Sequence, residues 1–253
     1  MNVYGFFTLF RKEVLRFQKV ALQTLVAPMV TALLYLMVFA HVLEDRVTIY
    51  HGISYSAFLI PGLIMMSIIQ NAFANSSSSL IQSKVTGNLV FVLLSPLSAL
   101  EFYLAFMLAA TVRGVLVAAG MYLVAAGFVS LPAHHLMVLL AFALLSSAVL
   151  ATLGIIAGIW ADKFDHVAGF QNFVIMPLSF LSGVFYSIHS LSPFWRGLSH
   201  INPFFYMIDG FRYGFLGRSD VDPTVSLSIV LAAFVALAAL TVYWIRRGYR
   251  LRD

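Results

Sequence analysis

The sequence predicts an all-α integral membrane protein: six transmembrane helices, an N-terminal amphipathic interfacial helix, and re-entrant outer helices between spans five and six. Three observations carry this. First, 61% of the 253 residues are hydrophobic and only 10% charged, with a mean hydropathy of +0.94. Soluble domains carry about 25% charged residues, and a compact water-soluble fold of this length could not hide so much apolar surface. Second, apolar runs near the ~20 residues needed to cross a bilayer recur along the chain. Third, the basic residues gather at its ends, as Arg11, Lys12, Arg16 and Lys19, then Arg246, Arg247, Arg250 and Arg252. That is how cytoplasmic flanks meet anionic lipid. It accounts for the net charge of +5 and the pI near 9.6 without nucleic acid.

Each element follows in order. In residues 1–20, Val3, Phe7, Phe10, Val14 and Phe17 repeat at spacings of four and three, one apolar stripe on a helix, with Lys12, Arg16 and Lys19 opposite. A basic amphipathic helix of this kind lies in the membrane interface. No small-residue cleavage site follows a short apolar core, so the first span is expected to stay. Spans are expected at 21–43, 55–75, 101–129, 136–160, 167–187 and 224–245. Pro28 and Pro61 should kink the first two or mark their starts. In the fourth, Gly154 and Gly158, near Ala151 and Ala157, let another helix approach closely, within the subunit or across a dimer.

Orientation follows from counting Lys and Arg. With both termini cytoplasmic, the inner side holds ten, Lys84 and Lys163 included. The outer side holds four, Arg46, Arg196, Arg212 and Arg218, and Arg113 falls inside a span. Residues 76–100 then form a cytoplasmic segment. Residues 188–223 form an outer one whose aromatic residues, broken at Pro193 and Pro203, should dip back into the leaflet.

Several chemistries are missing from the pattern. There is no cysteine, hence no disulfide or thiolate site. No phosphate-binding Gly-x-x-x-x-Gly-Lys-Ser/Thr loop, no His-Glu-x-x-His and no Gly-x-Ser-x-Gly occurs, so neither a catalytic set nor a metal site is expected. His41, His51, His134, His135, His189 and His200 fall on the outer side and read as interfacial residues. Asn75 with Ser76 to Ser79 reads as a polar helix end leaving the membrane, a hydroxyl-lined path being the other reading. Arg113 costs about 2.5–3.5 kcal/mol at this depth. It either pairs structurally or lines a substrate path.

The order of these segments, and several short strings in them, resemble the type-2 ABC exporter permease over nearly the whole chain. Gly87-Asn88-Leu89, then Leu93-Leu94-Ser95-Pro96-Leu97-Ser98 and Glu101, are similar to that family's cytoplasmic motif between spans two and three. Leu181-Ser182-Gly183-Val184-Phe185-Tyr186 is similar to the end of its fifth span. Asn202-Pro203, Tyr206, Asp209 and Arg212 are similar to its outer pattern, and the 194–217 stretch is most like the bacterial YadH-type subgroup.

The resemblance implies a permease subunit of an ATP-driven exporter in the bacterial cytoplasmic membrane. It would pair with a second copy of itself and with two copies of a separate cytosolic ATPase, which would hold the ATP and Mg; this chain would bind no cofactor. Coupling to the ATPase would involve Arg11, Arg16, Gly87, Leu89, Val90, Phe91, Leu94, Ser95, Pro96 and Glu101. The first and fifth spans would line the path, with Arg113, Phe170, Phe173, Phe180 and Phe185. An outer re-entrant gate would comprise Trp195, Asn202, Pro203, Tyr206, Asp209 and Arg212. One departure stands out: the family commonly has acids where Val90 and Phe91 stand, so coupling should rest on shape and apolar burial, or the ATPase groove has changed to match. The cargo class is amphipathic, lipid-linked, drug-like or glycan. The competing reading is a motor-independent membrane scaffold or assembly factor.

Overall fold

The computed structural model describes residues 2–43, 50, 52–129, 131 and 133–251, and among these no strand occurs. Arg46, His51 and Arg252 lie outside the described residues, as does the His41 side chain. The helices are α1 (Val3–Gln18), α2 (Ala21–Leu43), α3 (Tyr55–Val85), α4 (Leu89–Leu94), α5 (Ala99–Ala126) and α6 (Leu136–Trp160). They continue as α7 (Phe164–Phe170), a π turn at Gln171–Ile175, α8 (Met176–Phe180), α9 (Pro193–Ile201), α10 (Pro203–Leu216) and α11 (Pro223–Arg247). Local chemistry sets many of the starts. Ser98 and Glu101 form a reciprocal capping box on α5, with Glu101 N–H to Ser98 Oγ at 3.2 Å and Ser98 N–H to Glu101 Oε2 at 2.7 Å. Asp222 caps α11 by accepting from the Thr224 N–H at 2.8 Å, ahead of Pro223 at the first helical position. The Thr224 hydroxyl and N–H hold the Asp222 carboxyl below its ordinary range.

Among the described residues, four helices are long and apolar enough to cross a membrane: α3, α5, α6 and α11. The α1–α2 pair, bent by 57°, makes a fifth if it is taken as one broken span. Six were expected. The difference lies in the expected spans 21–43 and 167–187. α2 passes only together with α1. Within 167–187 helical structure ends at Phe180, and turns follow to Tyr186. Seventeen residues of helix from Phe164 reach about 26 Å, less than the ~30 Å hydrocarbon core.

At the centre of the bundle stands α3, packed against α6, α5, α10 and α2. Residues 76–85 do not form a segment separate from the expected span 55–75; they continue the same helix, and Ser76, Ser77 and Ser79 are buried. Their hydroxyls need no water. Ser77 Oγ donates to the Phe73 carbonyl at 2.8 Å, and Ser76 Oγ donates across to the Ala151 carbonyl of α6 at 2.7 Å. The glycine pair of α6 makes this approach possible. A Cβ at Gly154 would stand 2.2 Å from Ser76 Oγ and 2.5 Å from the Phe73 carbonyl oxygen; one at Gly158 would stand 2.9 Å from Leu80 Cβ. Both glycines therefore serve packing within the subunit.

The expected stripe of α1 is kept in part: Phe17 is buried and Phe10 packs on the core. Val3 and Phe7 are exposed, while Leu9, Glu13 and Phe17 face inward. On the inward face Glu13 and Arg16 find polar partners on α3, Ser79 and Asn75. The 188–223 segment does hold two short helices broken at Pro203, and α10 packs on α6, α11 and α3.

Candidate functional site

A polar network joins α1, α3 and α5 between the middle of α3 and its Val85 end. Arg16 Nη2 donates to the carbonyl and side-chain oxygens of Asn75 at 2.8 and 2.9 Å. Arg113 Nη1 reaches the same Asn75 Oδ1 at 3.3 Å, and its Nη2 donates to Asn71 Oδ1 at 3.1 Å. Glu13, 1% exposed, accepts from the Ser79 hydroxyl and lies 3.4 Å from Arg16 Nε and 3.2 Å from Lys12 Nζ. Arg113 thus has partners on the neighbouring helix, and they are neutral amides. Sequence reasoning overlooked Glu13 and Asn71. The available signal was Glu13 standing alone among Arg11, Lys12, Arg16 and Lys19.

Beside this network a cleft of about 280 Å³ opens between α2, α3 and α8. Ser67, Gln70 and Asn71 give it a polar wall; Tyr35, Met66, Met121 and Phe180 give it an apolar one. Phe180 stacks on Phe185 at 5.7 Å, and Tyr35 packs against Phe185 at the same distance. Of the other path candidates, Phe170 stacks on Phe73 of α3 at 5.6 Å, Phe173 is 84% exposed, and Arg113 does not line the cleft itself. It touches the cleft wall through Asn71.

At the Tyr55 end a second network holds the residues expected as an outer gate. Arg212, 1% exposed, lies 3.8 Å over the Phe58 ring and donates to the Gly183 carbonyl at 2.7 Å. Asp209 accepts from the N–H groups of Asp220 and Val221 at 2.8 and 3.0 Å. Asn202 caps α10 and donates to the Leu178 carbonyl at 2.8 Å and to Ser182 Oγ at 3.0 Å; Tyr206 donates to the His200 carbonyl. These groups fasten the 178–183 and 220–221 segments onto α10. Trp195 stays half-exposed beside Phe194. Unforeseen was Asp220, which accepts from Tyr50 Oη at 2.6 Å, Ser187 Oγ at 2.8 Å and Ile188 N–H at 2.9 Å. Burial and that carboxylate push the Tyr50 phenol far above its ordinary range. His135 stacks flat on Tyr213, and no metal-binding group of three or more occurs among the described residues.

The coupling candidates fall at the Val85 end. Gly87 turns the chain with φ +73° into α4. Leu89 is buried, while Val90, Phe91 and Leu94 are 54%, 74% and 78% exposed. Ser95 Oγ closes the helix on the Val92 carbonyl, and the Pro96 carbonyl accepts from the Asn2 side chain at 3.3 Å. Glu101 is buried, engaged by Ser98 and by the Asn2 N–H. Arg11 is exposed on α1; Arg16 is turned into the bundle. Glu101 and Arg16 therefore have structural partners within the chain.

A family model described as ABC-2 type transporter matches residues 4–216. The inner membrane transport permease YadH of Escherichia coli K12 is 39% identical over 247 residues, covering 97% of this chain and 96% of that protein. Nodulation protein J of Neorhizobium galegae is 25% identical over 236 residues, covering 91% of this chain and 90% of its own, and that of Rhizobium leguminosarum bv. trifolii is 26% identical over the same length and coverage.

Proposed function

Because the chain belongs to the ABC-2 type transporter family, we propose that it is the permease subunit of an ATP-driven exporter, a multi-pass protein of the bacterial inner membrane. Two copies would work with two copies of a separate ATPase that binds ATP and Mg. One observation carries the coupling half of this reading: α4 holds its place by Leu89 and offers Val90, Phe91 and Leu94 outward. Three large apolar side chains exposed on a six-residue helix suit a partner's apolar groove. With the termini cytoplasmic, α4 faces the ATPase side. Cargo would move along the cleft between α2, α3 and α8, with the exposed faces of α2 and the 164–180 helix meeting a second copy. Its polar and aromatic walls suit an amphipathic cargo, whether lipid-linked, drug-like or glycan-bearing.

Nucleotide hydrolysis and complex formation test this. The purified chain alone should hydrolyse no ATP above a mock preparation. Co-expressed with its ATPase, it should co-purify with two of each chain. Hydrolysis by the permease alone would overturn the division of labour.

A further inference from the structure

The α1–α3–α5 network carries more positive charge than it neutralises. Lys12, Arg16 and Arg113 converge there, and among the described residues the acid present is Glu13, already engaged by Lys12 and Arg16. No carboxylate lies within ion-pair distance of Arg113 among those residues. Its Nη groups rest on two amide oxygens, and its buried Nε has no hydrogen-bond partner there. A cation held only by dipoles, with a second cation, Arg16, on the same Asn75 oxygen, draws an anion strongly in a setting of low dielectric. The neighbouring space can receive one: Asn71, which holds Arg113, also stands in the cleft wall with Ser67 and Gln70, opposite Met66, Met121 and Phe180.

We propose that Arg113, with Arg16 behind it on Asn75, is a binding site for the anionic headgroup of a single-tailed or multi-tailed amphiphile whose apolar body lies in the cleft. The charged head, a phosphate ester, takes the polar end beside Asn71, and the tail lies along Met66, Met121 and Phe180. This rests on reading the cleft as the cargo's route, and narrows the cargo to anionic amphiphiles.

Equilibrium binding of radiolabelled dodecyl phosphate to the purified chain in dodecyl maltoside tests it. The wild type should bind saturably, one molecule per subunit. Inorganic phosphate at the same concentration should not displace it, because the tail contributes. The informative variant is Asn71→Asp, which places a carboxylate against Arg113 without removing a side chain from the packing. It should unfold at the wild-type temperature or above and bind dodecyl phosphate roughly tenfold or more weakly, as expected for loss of a charged hydrogen bond. Arg113→Gln should weaken binding likewise, and Arg113→Lys should keep most of it. Wild-type affinity in a folded Asn71→Asp protein, or displacement by inorganic phosphate as effective as by dodecyl phosphate, would overturn the site. The ATPase takes no part in this measurement, so absent binding with an intact ATPase complex defeats the anion site alone.

Discussion

Asp220 ties four parts of the chain together through hydrogen bonds to Tyr50, Ser187, Ile188 and, by its own N–H, Asp209. Nothing beside it in the sequence marks it, because its side-chain partners stand 33 and 170 positions away. Such a cluster is set by topology and is invisible to any local pattern. Glu101 shows the opposite case. Its spacing from Ser98 is a capping box legible from four residues, and the buried carboxylate does that local work. Replacing Asp220 by Asn removes the charge and sets an amide N–H₂ against hydroxyl and N–H donors. The expected cost is about 1.5–3 kcal/mol, read as a lowered unfolding temperature in detergent. Asp162→Asn, at a 61% exposed side chain near Lys84 and Arg250, should change it little. Equal unfolding temperatures for the two variants would show that the Asp220 cluster holds nothing together.

Among the elements, α6 and α4 give the sharpest expectations. Gly154→Ala should destabilise by about 1–3 kcal/mol, since the added methyl meets backbone and a buried hydroxyl. Gly158→Ala should cost less, because its nearest approaches, 2.9 Å to Leu80 Cβ and 3.2 Å to the Ser77 carbonyl oxygen, are longer than those at Gly154. Gly169→Ala, with nothing within 4 Å, should be neutral. Thermal unfolding of the three variants checks that ranking. On α4, Leu89 and Phe91 should separate. Leu89→Ala should lower the permease's own stability, whereas Phe91→Ala should leave it alone and weaken ATPase binding about tenfold or more, the worth of one buried aromatic side chain. Added salt should matter little to this contact, as few charges are there to screen. Affinity of the complex measured at low and high salt decides; a steep loss with salt would reject an apolar contact. Element type was readable here from hydropathy and period. Element continuity was not. An apolar count over 167–187 cannot register that helical hydrogen bonding stops after Phe180, and the serines after Asn75 looked like an exit because their partners lie on α1 and α6.

For the whole molecule, the remaining expectation is orientation. The native chain has no cysteine, so single cysteines report cleanly. Ser190 and Asn88 are both exposed, near opposite ends of the bundle. In intact cells Ser190→Cys should react with an impermeant maleimide, and Asn88→Cys should react only after the cells are opened. The reverse would invert the arrangement and move α4 away from any cytosolic ATPase. The break at Pro203 was legible as chemistry along the chain, and the Ser98–Glu101 spacing offered the cap of α5. The inward face of α1 was not legible there, since it depends on which helix Glu13 and Arg16 meet.

The π turn at Gln171–Ile175 lies between Phe170, fixed on Phe73, and the cleft-lining pair Met176 and Phe180. A π turn holds an extra residue relative to an α turn. The extra residue turns everything beyond Ile175 by about 100° around the helix axis relative to an unbroken α-helix. That offset sets which side chains of the following turn, Met176 and Phe180, meet the cleft while Phe170 rests on Phe73.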